Sequence, residues 1–235
     1  MTLPFESASA AVEHFFAGLQ AVSPTAVAVA SGESSLGYGE LLRRVDALAR
    51  RIVSEDVRVL ATILDNGADW IVTDLAALRA GVVHVPVPGF FTEAQRRHVL
   101  GVARVDTVIT PAPGWQRLPA PPSASPIGTV KITFTSGSTG TPKGVCLDRL
   151  ALLGVARGIA DATAALAIGR HLCALPLSIL LENVAGVYAP LVRGATIVAP
   201  ATAAVGLQGS SQFEPAVLDA AVRRERAQSV VLLPQ

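Results

Sequence analysis

Aromatic residues make up only 5% of this 235-residue chain, so Ala, Val and Leu must fill the interior. An excess of one charge is missing too, since 19 basic residues face 18 acidic ones. That balance argues against a sequence-independent nucleic-acid binder, which carries a basic stripe or surplus. Cysteine is scarce, and Cys146 and Cys173 lie far apart without metal-like spacing. Both read as small buried apolar residues. Long apolar runs are absent as well: Gly, Pro, Arg or Glu interrupts each one well short of the roughly 18 residues a membrane span needs. Met1–Ser7 shows neither a basic nor an apolar leader region, so no signal peptide and a cytoplasmic location are expected.

What is present is a chain 51% hydrophobic and 16% charged, the composition of a folded body with a real core. Strand-like and helix-like segments alternate, which predicts an α/β fold with largely parallel sheets. Strands are expected at 27–30, 57–64, 82–87 and 106–110, with helices at 40–52, 69–80 and 92–102. Leu41, Val45, Leu48 and Ile52 fall at helical spacing. Gly81 suits a left-handed helix end, and Thr92 with Gln95 matches a capping box. Asp65-Asn66-Gly67 reads as a turn.

Residues 111–128 are rich in Pro, Ala and Ser, including Pro111, Pro113, Pro119, Pro121, Pro122 and Pro126. This composition predicts an extended connector between a first α/β lobe, 1–110, and a second, 129–235; an ordered surface excursion of one domain fits equally well. After it come a strand at 129–135, another at 145–147, a helix at 149–167, a strand at 171–175, a helix at 181–191 and a strand at 195–199. Pro215 opens a last helix. Ser229–Leu233 is strand-like, and an element covering it is expected beyond Gln235, as in a chain cut short.

The densest chemical signal is Thr135-Ser136-Gly137-Ser138-Thr139-Gly140-Thr141-Pro142-Lys143-Gly144. Gly137, Gly140 and Gly144 let main-chain N–H groups turn outward into an anion-binding concavity. Ser136, Ser138, Thr139 and Thr141 add hydroxyl donors. Lys143 supplies a mobile point charge, and Pro142 stiffens the exit. Together they describe a grip for a polyphosphate. A Walker A loop would need Ser or Thr straight after the lysine, where Gly144 stands.

This segment resembles the signature of the adenylate-forming superfamily: acyl- and aryl-CoA synthetases, luciferases and peptide-synthetase adenylation domains. Leu36–Leu41 and Leu78–Val87 resemble two earlier core motifs of that family in order and spacing, and Ala174–Ser178 matches the segment beside the acyl pocket. The resemblance implies an ATP-dependent, AMP-forming ligase that makes an acyl-adenylate and hands it to coenzyme A or a phosphopantetheine carrier protein. It assigns Thr135 to Mg²⁺ and Ser136–Lys143 to the β- and γ-phosphates, with Thr139 and Lys143 as catalytic groups. Where relatives carry a histidine beside the acyl group, this chain has Ser178 and Ile179, so an aliphatic acid such as a fatty acid is expected; Glu182 and Asn183 are further candidates for that wall. His84 and His171 show no carboxylate at useful spacing and read as structural. The family's adenine, ribose and terminal lysine motifs are not found, so the chain is expected to be inactive alone. A non-catalytic phosphate-binding module, or half of a split enzyme, is the alternative.

Overall fold

The computed structural model describes residues 8–112, 114–119, 121, 125–135, 141–209 and 212–233. Met1–Ser7, Pro113, Pro122, Ser136–Gly140, Pro234 and Gln235 therefore lie outside the described residues.

The chain opens with a helix that the alternation did not predict, α1 (Ala8–Gln20), and a hairpin of β1 (Val27–Ser31) and β2 (Ser34–Gly37). Then come α2 (Tyr38–Ser54), β3 (Val59–Thr62), α3 (Ala68–Ala80), β4 (Val83–Pro86), α4 (Glu93–Val102), β5 (Thr107–Ile109) and β6 (Trp115–Arg117). The amphipathic pattern of α2 does what its spacing predicts, burying Leu41, Val45 and Ile52. Gly81 adopts φ 72° at the end of α3, the left-handed conformation that glycine reaches without strain. At the start of α4, Gln95 N–H donates to Thr92 Oγ1 and Thr92 N–H to Gln95 Oε1. Losing this cap in Thr92→Ala should cost about 1 kcal/mol in urea denaturation with the slope unchanged.

Next come β7 (Thr129–Thr135), β8 (Lys143–Asp148), α5 (Arg149–Ala162) and β9 (Arg170–Leu172). The single helix expected at 181–191 is a run of three pieces: α6 (Leu180–Glu182), a π-helical turn (Asn183–Tyr188) and α7 (Ala189–Val192). The chain continues through β10 (Thr196–Val198), a small hairpin of β11 (Leu207–Gln208) and β12 (Gln212–Phe213), α8 (Pro215–Glu225) and β13 (Ser229–Val230).

Two sheets carry the fold, in the orders β13-β9-β10-β1-β2 and β6-β5-β3-β4-β7-β8. Their inner pairs are parallel, while β2, β6 and β8 join the edges antiparallel. Strand alternation sorts the core. Leu60 of β3 and Ile197 of β10 share the largest apolar cluster with α1, α2, α3, α5 and α7, which places those helices between the sheets. Val59 and Ala61 face the opposite way, with Val99 of α4. Val198 turns outward to Leu218 and Ala221 of α8.

The sheets are not divided at residues 111–128. Strands from both sides of that segment enter each sheet, the pairing expected where the segment is a surface excursion of one domain. Within the segment, Trp115–Arg117 forms β6, held by Trp115 Nε1–H donating to Glu55 Oε2 at 2.7 Å.

Candidate functional site

Parallel sheets place loops that can meet a ligand at their strands' carboxyl ends, and two features lie there. The first is the β7–β8 hairpin. Thr135 and Lys143 are direct partners across it and both are exposed, so a hydroxyl and an ammonium flank the root of the loop. Lys143 pairs with no acidic side chain among the described residues. Pro142 is buried, its carbonyl accepting a hydrogen bond from His98 Nε2 at 3.1 Å, which pins the end of the loop to α4. Thr141 is exposed beside it. Gly144 has a second reason to be glycine: a Cβ there would stand 3.0 Å from both Ile132 and Phe134 side chains. The expected outward-turned amide is thus accompanied by a packing demand inside the hairpin. Ser136, Gly137, Ser138, Thr139 and Gly140 lie outside the described residues.

The second feature is an apolar cavity of about 340 Å³ lined by Phe90, Leu175, Pro176, Ile179, Leu207 and Phe213, among others, and by no charged side chain. Its wall after β9 is clamped by a residue the sequence reading treated only as a turn former. Asn66 donates from Nδ2 to Leu175 O at 2.9 Å and accepts at Oδ1 from Leu177 N–H at 2.7 Å. Asp65 beside it accepts from Thr202 N–H. The loop after β3 in one sheet therefore fixes the loop after β9 in the other.

Of the four residues expected at the acyl wall, Ile179 lines the cavity. Ser178 is buried outside its lining. Glu182 and Asn183 correct the expectation more sharply, because both are buried and committed to internal hydrogen bonds. Glu182 accepts from Leu175 N–H at 3.0 Å and contacts His171 Nε2 at 3.1 Å. Asn183 donates to Asp74 Oδ2 at 2.8 Å and accepts from the Lys131 ammonium.

Asp74 centres a buried polar network. Its Oδ1 lies 2.7 Å from Lys131 Nζ and 2.6 Å from His84 Nδ1, and His84 Nε2 meets Thr62 Oγ1 at 2.9 Å. Burial by itself pushes the Asp74 carboxyl up, but the Lys131 charge, then His84, outweigh it and hold the group well below the carboxylate range. Burial pushes His84 down, with Asp74 opposing, and also pushes Lys131 down. His84 thus commits both ring nitrogens inside the network, Nδ1 to Asp74 and Nε2 to Thr62. The sequence reading of lone histidines is corrected here: His84 and His171 each face a buried carboxylate, Asp74 and Glu182. All four side chains are buried. An aspartate in the middle of the buried run Trp70–Leu78 of α3 was the signal available, since a buried acid needs a partner.

Cys173 is buried as expected, whereas Cys146 is exposed on the edge strand β8. Burial, with the Glu182 charge behind it, raises the Cys173 thiol well above its ordinary value. Gly186 of the π-helical turn makes room for the pair opposite. A Cβ there would collide with Glu182 Oε1 and stand 2.9 Å from His171 Nε2. Gly186→Ala should therefore lower stability by about 1–3 kcal/mol, read as a fall in Tm, while Gly154→Ala on α5, with open space around it, should not.

Comparison with known proteins agrees with this layout. The family described as AMP-binding enzyme matches residues 19–132 and 113–235. A protein described as a probable nonribosomal peptide synthetase of Salinispora arenicola is 31% identical over 151 residues, 62% of this chain and 2% of that protein. The L-proline–[L-prolyl-carrier protein] ligase of Streptomyces coelicolor is 30% identical over 166 residues, 52% of this chain and 31% of the ligase. The chain thus spans less than a third of either relative. Among solved structures, the N-terminal subdomain of Klebsiella oxytoca NpsA superposes with a TM-score of 0.72 at 21% identity, covering 94% of this chain and 60% of the other. Bacillus subtilis O-succinylbenzoate coenzyme A synthetase in complex with AMP gives 0.70 at 17%, covering 92% and 47%. With a family match over nearly all of its residues, the chain belongs to the AMP-binding enzymes, the adenylate-forming ligases.

Proposed function

We propose that the chain supplies the phosphate grip and part of the acyl pocket of an ATP-dependent, AMP-forming acid–thiol ligase acting in the cytoplasm. The carrying observation is the hairpin root, where Thr135 and Lys143, which pairs with no acidic side chain among the described residues, are partners across β7 and β8. In this reading a substrate carboxylate oxygen attacks the α-phosphorus of ATP and the bond to the β-phosphate oxygen breaks. Acyl-adenylate and pyrophosphate result. A thiol then attacks the acyl carbon and AMP leaves. There is little covalent chemistry here for a protein side chain, so positioning and charge neutralisation do most of the work. Lys143 and the hydroxyls of 136–141 would hold the β- and γ-phosphates, and the Thr135 hydroxyl suits a hard Mg²⁺ ion, which would offset phosphate charge.

The cavity supports an aliphatic acid, as in fatty acid metabolism. Among the described residues its lining carries no charged side chain, so a substrate ammonium would be buried there without a partner from them. The name of the Streptomyces relative speaks for a carrier protein as acceptor; coenzyme A is the other thiol to test. The test is ATP–pyrophosphate exchange by the intact gene product against a panel of aliphatic, aromatic and amino acids, then acyl transfer to each thiol. Exchange driven best by an aliphatic acid is expected. ATP binding without exchange for any acid would overturn the ligase reading in favour of a binding module. The 235 residues alone are expected to show no exchange.

A further inference from the structure

We infer that His171, Cys173 and Glu182 form a site for a transition-metal dication of the zinc type, independent of the phosphate loop. His171 and Cys173 are two apart along one strand line, because Cys173 N–H continues the β9 ladder to Val198 O at 2.8 Å. Strand alternation therefore sends both side chains to the same face. Glu182, at the end of α6, comes down on that face. One donor atom from each residue lies within 4.8 Å of the other two, and all three residues are buried. The closest pair, His171 Nε2 and Glu182 Oε1, is 3.1 Å apart. Zinc bonds of about 2.0–2.3 Å imply tetrahedral edges of roughly 3.3–3.7 Å, so one ion fits among the three with small shifts.

Chemistry agrees with spacing. Imidazole, thiolate and carboxylate are the protein donors zinc takes, and a dication with one thiolate and one carboxylate is neutral overall. Neutrality matters where the Glu182 side chain is wholly buried. The donors are also aimed from behind, as metal ligands are. His171 Nδ1 meets Ser229 Oγ at 2.8 Å, leaving Nε2 for the cluster. Leu175 N–H holds Glu182 Oε2, leaving Oε1. Gly186, in the π-helical turn that such local widenings often mark at functional positions, keeps a methyl group out of the space. On binding, the Cys173 thiol proton leaves to solvent and His171 keeps its proton on Nδ1, donated to Ser229. The fourth position falls to a water or main-chain oxygen; Gly186 O is 3.7 Å from Cys173 Sγ. A site this enclosed takes its ion during folding.

The chain is produced in cobalt-supplemented medium and passed through gel filtration. A single retained Co²⁺ with thiolate-to-cobalt charge-transfer absorption is expected. Cys173→Ala should lose ion and band, whereas Cys146→Ala, at the exposed cysteine, should keep both. Ser229→Ala should weaken the affinity about 10–100-fold without abolishing the band. Folded wild-type chain without Co²⁺ overturns the assignment whatever the variants do. So does a band that survives Cys173→Ala.

Discussion

Replacing Asp74 by asparagine is expected to destabilise the chain by about 3–5 kcal/mol, the largest effect of any single polar substitution here. Asparagine keeps the size and shape but removes the charge facing Lys131 Nζ at 2.7 Å, inside a layer where both side chains are almost wholly buried. The lysine is then an uncompensated cation between two sheets, beside the Trp70 and Tyr188 rings. Urea denaturation of Asp74→Asn measures the loss. Asp74→Asn with Lys131→Met should recover most of it, because removing both charges removes the penalty that one leaves behind. A single-variant loss below about 1 kcal/mol would show that the pair does not hold the layer together.

The same network sets an acid limit. Asp74 titrates lower in the folded chain than unfolded, so its contribution is complete above the unfolded value of about 3.9 and disappears as pH drops through the acid range. His84 is also lowered on folding. Below its unfolded value of about 6.5 the unfolded chain binds a proton that the folded chain refuses, so stability already declines there. Acid destabilisation should come in two stages, and His84→Gln should remove the upper one.

Lys143→Ala should slow adenylation by roughly 10- to 150-fold in the intact gene product, corresponding to about 1.5–3 kcal/mol of charge-assisted contact. The side chain is exposed on an edge strand, so folding stability should change by no more than about 0.5 kcal/mol. That contrast separates a binding role from a structural one. ATP–pyrophosphate exchange at saturating acid, beside a denaturation curve, supplies both readings. Unchanged exchange would remove Lys143 from its assigned role.

Local patterns in the sequence were sufficient for elements whose causes are local. The capping box of α4, the left-handed Gly81 and the buried stripe of α2 are all read within a few residues, and the structure has them where spacing puts them. The family resemblance of 135–145 was legible for the same reason, being contiguous. What escaped depends on contacts between distant elements. Asn66 looks like any turn residue until β9 is brought beside it, 109 residues away. Glu182 and Asn183 read as candidates for the acyl wall because nothing local reveals that His171 and Lys131 wait on facing strands. The choice between two lobes and one domain stayed open in the sequence likewise, because proline content reports local extension and says nothing about which strands will pair.

That interleaving has a consequence during synthesis. Val27 and Thr196 are hydrogen-bonded neighbours 169 residues apart. At ribosomal speeds of about 5–20 residues per second, β1 must wait on the order of 10–30 s for β10 to emerge. Until then one apolar edge of the first hairpin stays open, a template for mispairing between nascent chains that a holding chaperone would have to shield.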